Sequence, residues 1–153
     1  MVSLSPTVTV IIATYNKSGA LRYAIESVLW QTLADFELWV IGDACTDDSA
    51  EVVGGYEDPR VFWYNLPENS GYQSAPNNEG LRRARGKYIA YLNHDDLWMP
   101  NHLEVLVDQI EKSDGDFAFS ILELIATDGP GRLEIPDYPN APLPPHASAT
   151  LHR

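Results

Sequence analysis

The chain has 153 residues, 44% of them hydrophobic and 10% aromatic, which suits one domain around a single core and is not the composition of a disordered chain. Ten basic against 22 acidic residues leave a net charge of -12, which excludes an electrostatic grip on nucleic acid or on an anionic membrane, so a phosphate ligand needs positive charge supplied locally. The single cysteine, Cys45, excludes an internal disulfide or a cysteine-rich zinc site and fits a cytoplasmic chain, and the longest apolar run, Val8 to Ala13, is too short to span a bilayer and has no basic start of a signal sequence.

From the N-terminus, "TVTVIIA" (Thr7 to Ala13) is continuous and β-branched, the pattern of a strand covered on both faces. It breaks at "TYNKSG", where Ser18 is a candidate cap for the helix that follows. From Gly19 to Gln31 the apolar Leu21, Ala24, Ile25, Val28 and Leu29 repeat at helical spacing. "FELWVIGD" (Phe36 to Asp43) predicts a second strand, and "TDDSAEVVGGY" a short helix capped by Thr46 or Asp47 and stopped at Gly54-Gly55. "RVFWYNL" predicts strand three. "APNNEGLRRARG" (Ala75 to Gly86) predicts a third helix with Pro76 in its first turn and a terminal glycine stop. "KYIAYLN" is strand four, Pro100 opens helix four with its stripe of Leu103, Leu106, Val107 and Ile110, and "DFAFSILELIA" (Asp116 to Ala126) is strand five.

This alternation predicts an α/β fold, a mainly parallel sheet flanked by helices and joined by right-handed crossovers. The expected domain covers residues 1–126. Residues 127–153 hold six of the eleven prolines and are expected to be irregular, or the start of an acceptor half. Ligands of such sheets bind outside the carboxyl ends of the strands, and every unusual polar cluster falls there: "TYNKS", "GDACTDD" and "NHDD".

Each cluster has two readings. Asp43 ends an apolar strand, where a carboxylate can accept from a ring N–H or a ribose hydroxyl, or can cap the next helix. Tyr15 and Asn16 can stack on and hydrogen-bond a base, or can shape the turn. Asp95 and Asp96 can form a solvated turn that caps helix four, or can hold a divalent cation. Magnesium takes one or two protein carboxylates and completes its shell with water and substrate phosphates, which would also answer the missing positive charge. The oxygen-rich pattern suits magnesium or manganese, with His94 as a loop residue rather than a ligand. His146 and His152 are read as incidental.

The stretches "VTVIIATYNKSGALRYAIESVLWQTLADFELWVIGDACTDDS" and "GLRRARGKYIAYLNHDDLWMPNHL" together resemble the family 2 glycosyltransferases, over about Val8 to Ile110. The resemblance implies the glycosyltransferase A fold, a Rossmann-like nucleotide-diphospho-sugar transferase fold, and inverting transfer of a sugar from a nucleotide-diphosphate donor, a UDP-sugar by default, to an unknown acceptor. It assigns the nucleoside to Thr14, Tyr15 and Asp43. The family's D-x-D-D motif falls on Asn93, Asp95 and Asp96, with Asp96 on the metal and Asp95 near the ribose and diphosphate. Three positions depart from the pattern. Asn93 replaces the first acid, Gly42 replaces the first of two acids ending strand two, and Pro76 replaces the arginine of A-R-N. The implied catalytic base belongs to a second half beyond Arg153, so the chain is expected to be a truncated form or short paralogue that binds donor. Glu123, Asp128, Glu134 and Asp137 are the late carboxylates that remain, and association between copies through an open edge is a further expectation.

Two other classes stay open: a non-catalytic nucleotide-sugar binding module, and a metal-dependent phosphohydrolase that uses Asp43, Asp95 and Asp96. A dinucleotide oxidoreductase lacks its G-x-G-x-x-G and a phosphate-loop nucleotidase its G-x-x-x-x-G-K.

Overall fold

The computed structural model describes residues 5–113, 115–120, 122–124, 132–134 and 150–152. In chain order these form β1 (Val8–Thr14), α1 (Ser18–Leu29), β2 (Phe36–Gly42), α2 (Ser49–Gly54), β3 (Val61–Asn65), α3 (Ser74–Arg83), β4 (Tyr88–Asn93), α4 (His102–Ser113), β5 (Phe117–Phe119), β6 (Leu122–Leu124), β7 (Arg132–Glu134) and β8 (Thr150–His152).

β1 is buried along its whole length, as its unbroken apolar run requires, and takes the middle of a six-stranded sheet ordered β3-β2-β1-β4-β8-β5. β2 and β4 flank it in parallel, and β3 lies parallel outside β2. The register sets Thr14 opposite Gly42 and Ala13 opposite Asn93, so three strand ends finish level and their loops rise from one rim.

Alternate side chains divide the two faces. Val8, Val10, Ile12, Leu38, Val40, Ala90 and Leu92 join Leu21, Ala24, Ile25 and Val28 of α1 and Leu103, Leu106 and Ile110 of α4 in the main core. α3 covers the other face by close approach: a Cβ on Gly80 would lie 2.6 Å from Cγ2 of Ile11.

The mainly parallel sheet predicted from the alternation is present, with four departures. The stretch expected as one strand five holds two short strands, β5 and β6, and β8 occupies the slot beside β4, pairing antiparallel with β4 and β5. Leu151 of β8 is completely buried there. The tail is therefore not wholly irregular: Arg132–Glu134 pairs with Leu122–Leu124 in a separate two-stranded sheet and Thr150–His152 belongs to the main one. His152, read as incidental, stacks on Tyr91 at 5.6 Å between ring centroids. The six tail prolines, His146, Asp128 and Asp137 lie outside the described residues.

α3 ends at Arg83, before its expected glycine stop, with Ala84 extended. Gly86 answers a different demand, since a Cβ there would run into the backbone of β1 at Val8 and Thr9. Arg85 and Gly86 instead meet a polar cluster under the sheet, where Arg85 pairs with the buried carboxylate of Glu37 at 2.6 Å and Thr9 donates to that carboxylate at 2.7 Å. α2 starts at Ser49, where the preceding Asp48 makes no side-chain cap bond, and Ser18 is the first residue of α1 rather than its cap. Asp47 serves both, accepting from Ser49 N at 3.1 Å and from Ser18 N at 3.0 Å. Desolvation works to raise its carboxyl, but the bonds from the Ser49 hydroxyl and the two amides outweigh it and hold the group below the usual carboxylate range.

At the start of α4, His102 stacks on Trp98 at 4.5 Å and its buried Nε2 has no hydrogen-bond partner among the described residues. Burial lowers its pKa from 6.5 to about 4. The unfolded chain therefore takes up a proton that the native state refuses, and stability present above pH 6.5 is lost as the pH falls toward 4. Between pH 7.5 and pH 5 this group should remove on the order of 2 kcal/mol, a loss that urea titrations of His102→Phe should not show.

Candidate functional site

The loops rising from the level ends of β1, β2, β3 and β4 enclose one cavity of about 400 Å³, lined by Ala13, Thr14, Tyr15, Asp43, Asn69, Gly71, Gln73, Pro76, Asn93, His94 and Asp95. Its size is that of a small-molecule site. Among the described residues its lining holds two carboxylates and no lysine or arginine.

Thr14 ends β1 with a buried hydroxyl that has no partner among the described residues, in a side chain only 2% exposed. A buried hydroxyl without a partner carries a desolvation cost. Tyr15, next along, is 48% exposed and offers a ring face at the mouth.

Asp43 lies just beyond β2, at 5% exposure, its amide bonded to the Thr14 carbonyl at 2.8 Å. Its carboxylate draws in the loop after β3. It accepts from Ser70 N at 2.9 Å, Ser70 Oγ at 3.0 Å, Gly71 N at 3.2 Å and Asn69 Nδ2 at 3.2 Å. Gly71 has φ of 72°, which glycine adopts without strain. This Asn-Ser-Gly wall carried no assignment in the sequence. Its signal is a polar turn at the carboxyl end of a strand, which becomes distinctive only once β3 is seen to lie beside β2.

Gly42 stands where the family pattern has an acid, and the structure gives the reason. A Cβ there would lie 2.7 Å from Cη2 of Trp63 and closer still to Oδ1 of Asn65. Asn65 fills that space by pairing with Cys45, accepting from its N at 2.8 Å and donating to its O at 3.0 Å.

Asn16 is brought to the rim but does not line the cavity. In a left-handed conformation that asparagine tolerates, it accepts from Thr46 N at 2.8 Å and Asp47 N at 3.2 Å, tying the β1 loop to the β2 loop. His94 does line it, with Nδ1 3.2 Å from the Ala13 carbonyl, which holds the β4 loop to β1.

Asp95 lines the cavity, exposed, while Asp96 sits just outside the lining and accepts from Asn93 Nδ2 at 2.9 Å. The loop they share is pinned from behind by the buried Gln31, which donates to the Met99 carbonyl at 2.8 Å and accepts from Leu103 N at 2.9 Å, supplying a cap to α4. Among the described residues no three His, Cys, Asp or Glu side chains group to hold an ion. The donor set is two adjacent carboxylates, all oxygen. That set fits a hard divalent cation completed by water and substrate phosphate, and does not make a closed protein cage.

Comparison with known proteins follows the same lines. The family model described as "Glycosyl transferase family 2" matches residues 9–132. The chain is 32% identical over 118 residues to UDP-Glc:alpha-D-GlcNAc-diphosphoundecaprenol beta-1,3-glucosyltransferase WfgD of Escherichia coli, covering 77% of this chain and 46% of that protein. The S. aureus TarS 1-349 structure in complex with UDP-GlcNAc superposes with a TM-score of 0.75 at 24% identity, over 80% of this chain and 36% of that one. The mannosyltransferase PcManGT from Pyrobaculum calidifontis, in complex with GDP-Man and Mn2+, does so with a TM-score of 0.67 at 23% identity, over 75% and 35%. These likenesses establish the glycosyltransferase A architecture of the sheet. The chain spans between about a third and a half of the curated relatives it first matches. With its family model covering most of the sequence, the chain belongs to glycosyl transferase family 2.

Proposed function

We propose that this chain forms the donor side of a glycosyltransferase, taking a nucleoside-diphosphate sugar, a UDP-sugar first, together with a magnesium or manganese ion. The observation that carries the reading is the cavity itself: a buried unpartnered Thr14 hydroxyl, the Tyr15 ring and Asp43 with its Asn69–Gly71 wall on one side, and the exposed carboxylate of Asp95 on the other. A nucleoside has the hydroxyls, ring N–H and π-face that the first group would recognise. The TarS structure in complex with UDP-GlcNAc and the PcManGT structure in complex with GDP-Man and Mn2+ support the same ligand class.

In this reading Tyr15 stacks on the base, Thr14 and Asp43 hydrogen-bond the nucleoside, Asp95 lies near the ribose and diphosphate, and Asp96 holds the cation. The cation, when bound, neutralises charge on the departing nucleoside diphosphate. Transfer is inverting: an acceptor hydroxyl gives its proton to a carboxylate base, its oxygen bonds to the anomeric carbon, and the bond from that carbon to the diphosphate oxygen breaks. Glu123 and Glu134 sit on β6 and β7, and neither is given the role of base. The acceptor belongs to cell-surface polysaccharide synthesis in this proposal, which the names of two relatives support, a putative teichuronic acid biosynthesis glycosyltransferase of Bacillus subtilis and a succinoglycan biosynthesis protein of Rhizobium meliloti. A phosphohydrolase is disfavoured because Asp43 is committed to the Asn69–Gly71 loop instead of grouping with Asp95 and Asp96 around an ion.

A thermal-shift panel of uridine, guanosine and thymidine diphosphates tests this. One of them, at about a hundred times its Kd, should raise Tm by about 5 °C or more with Mn2+ and by far less with chelator. Equal shifts with and without metal would remove the cation from the account.

A further inference from the structure

We infer that Gln73 is a positioning residue for the cation-holding carboxylate Asp96, acting through Asn93. The inference rests on the donor-site reading above. The Gln73 side-chain amide donates to Oδ1 of Asn93 at 2.6 Å, and Nδ2 of Asn93 donates to Oδ2 of Asp96 at 2.9 Å. An asparagine amide has one acceptor oxygen and one donor nitrogen, so a donor placed on the oxygen turns the nitrogen toward whatever lies opposite. Here that is the carboxylate. The backbone closes the same turn, Asp96 N donating to the Asn93 carbonyl at 3.2 Å.

The relay ties a loop carboxylate to a rigid element. Gln73 immediately precedes α3, and its carbonyl accepts from Asn77 N at 3.1 Å in the first helical turn. The helix is seated on Ile11 of β1 through Gly80. Gln73 and Asn93 line the cavity and Asp96 does not, so the two amides connect the cavity wall to the carboxylate behind it. Held through Oδ2 in this way, the Asp96 carboxylate keeps one orientation next to Asp95, its neighbour in sequence. Neutral amides do this without adding a third like charge beside two aspartates.

The test is Mn2+ titration followed by electron paramagnetic resonance in the presence of saturating UDP, with urea unfolding of the same samples. Gln73→Ala should bind Mn2+ about tenfold more weakly, the scale of one hydrogen bond to a charged group, with an unchanged unfolding midpoint. Gln73→Glu is the sharper probe. It is nearly isosteric and adds a negative charge, which by simple attraction would tighten Mn2+ binding. In the relay it must weaken binding, because a carboxylate cannot donate to the Asn93 oxygen and instead pulls the Asn93 nitrogen away from Asp96. Should Gln73→Ala prove unstable, Gln73→Glu decides alone. Unchanged or tighter Mn2+ binding in Gln73→Glu, or unchanged binding in a folded Gln73→Ala, overturns the inference and leaves the donor site standing. Wild-type protein that takes up no Mn2+ with UDP overturns both.

Discussion

Replacing Asp43 with asparagine should weaken nucleotide binding at least about a hundredfold, or roughly 2.7 kcal/mol, while the protein stays folded. The side chain is the hub of the Asn69–Gly71 wall. Its two oxygens accept from two backbone amides, a hydroxyl and a side-chain amide of the Asn69–Gly71 loop. Bonds to a charged acceptor contribute about 1.5–3 kcal/mol each. An asparagine of the same shape offers one acceptor oxygen and sets an NH2 against the Ser70 and Gly71 amides, while the Ser70 hydroxyl and the Asn69 amide keep second acceptors in the Tyr72 and Asp43 carbonyls. The loop would lift from β2 and the cavity would lose a wall. Calorimetry with UDP and urea unfolding on the same variant separate this from global damage. A variant that unfolds as the native protein does and binds UDP equally well would show that Asp43 only shapes the loop.

Gly86→Ala should be the most damaging single methyl in the chain. Its Cβ would lie 2.7 Å from the Val8 carbonyl carbon, 2.8 Å from Oγ1 of Thr9 and closer still to Thr9 N. Those are mostly backbone atoms of the central strand, which cannot rotate away as a side chain can. The added methyl also displaces the bond that Gly86 N donates to Thr9 Oγ1 at 2.8 Å, and with it the cluster around the buried Glu37. We expect a loss of about 3 kcal/mol or more, a large part of the 5–15 kcal/mol that holds a domain of this size together. Gly54→Ala is the control, because a Cβ there meets nothing within 4 Å at the end of α2. It should be neutral or stabilising by about 0.5 kcal/mol. Denaturant midpoints of the two variants that fell together would contradict the packing argument.

The two glycines show where reading a sequence works and where it stops. Local rules identified the strands, because burial on both faces writes itself as an unbroken β-branched run in β1 and as a largely apolar one in β2. They also placed Pro76 correctly in the first turn of α3 and found the buried stripe of α4. Gly86 was read as a helix stop because a glycine after a helical run carries that signal, while its true constraint is a contact with residues almost eighty positions earlier. β8 failed for a related reason: three residues returning from a proline-rich stretch to fill a slot beside β4 leave no periodicity. The same division holds in the cavity. Thr14, Tyr15, Asp43 and Asp95 line it as the strand-end rule implies, since topology alone brings those ends together. Asn16, read either as a base contact or as a turn former, bonds the neighbouring loop's backbone, which no strand-end rule distinguishes in advance. Asn69, Ser70 and Gln73 were missed because each acts through a partner far away in sequence.

The most direct test of the account is calorimetric titration of UDP into the native protein with Mn2+, repeated with chelator and on Asp96→Ala. The account predicts a binding heat that requires the metal and is lost in Asp96→Ala, because a cavity whose described lining carries two carboxylates and no lysine or arginine relies on a cation to hold a diphosphate. Binding of UDP that is indifferent to both chelator and Asp96→Ala, or no binding of uridine, guanosine or thymidine diphosphate by folded protein, would contradict it.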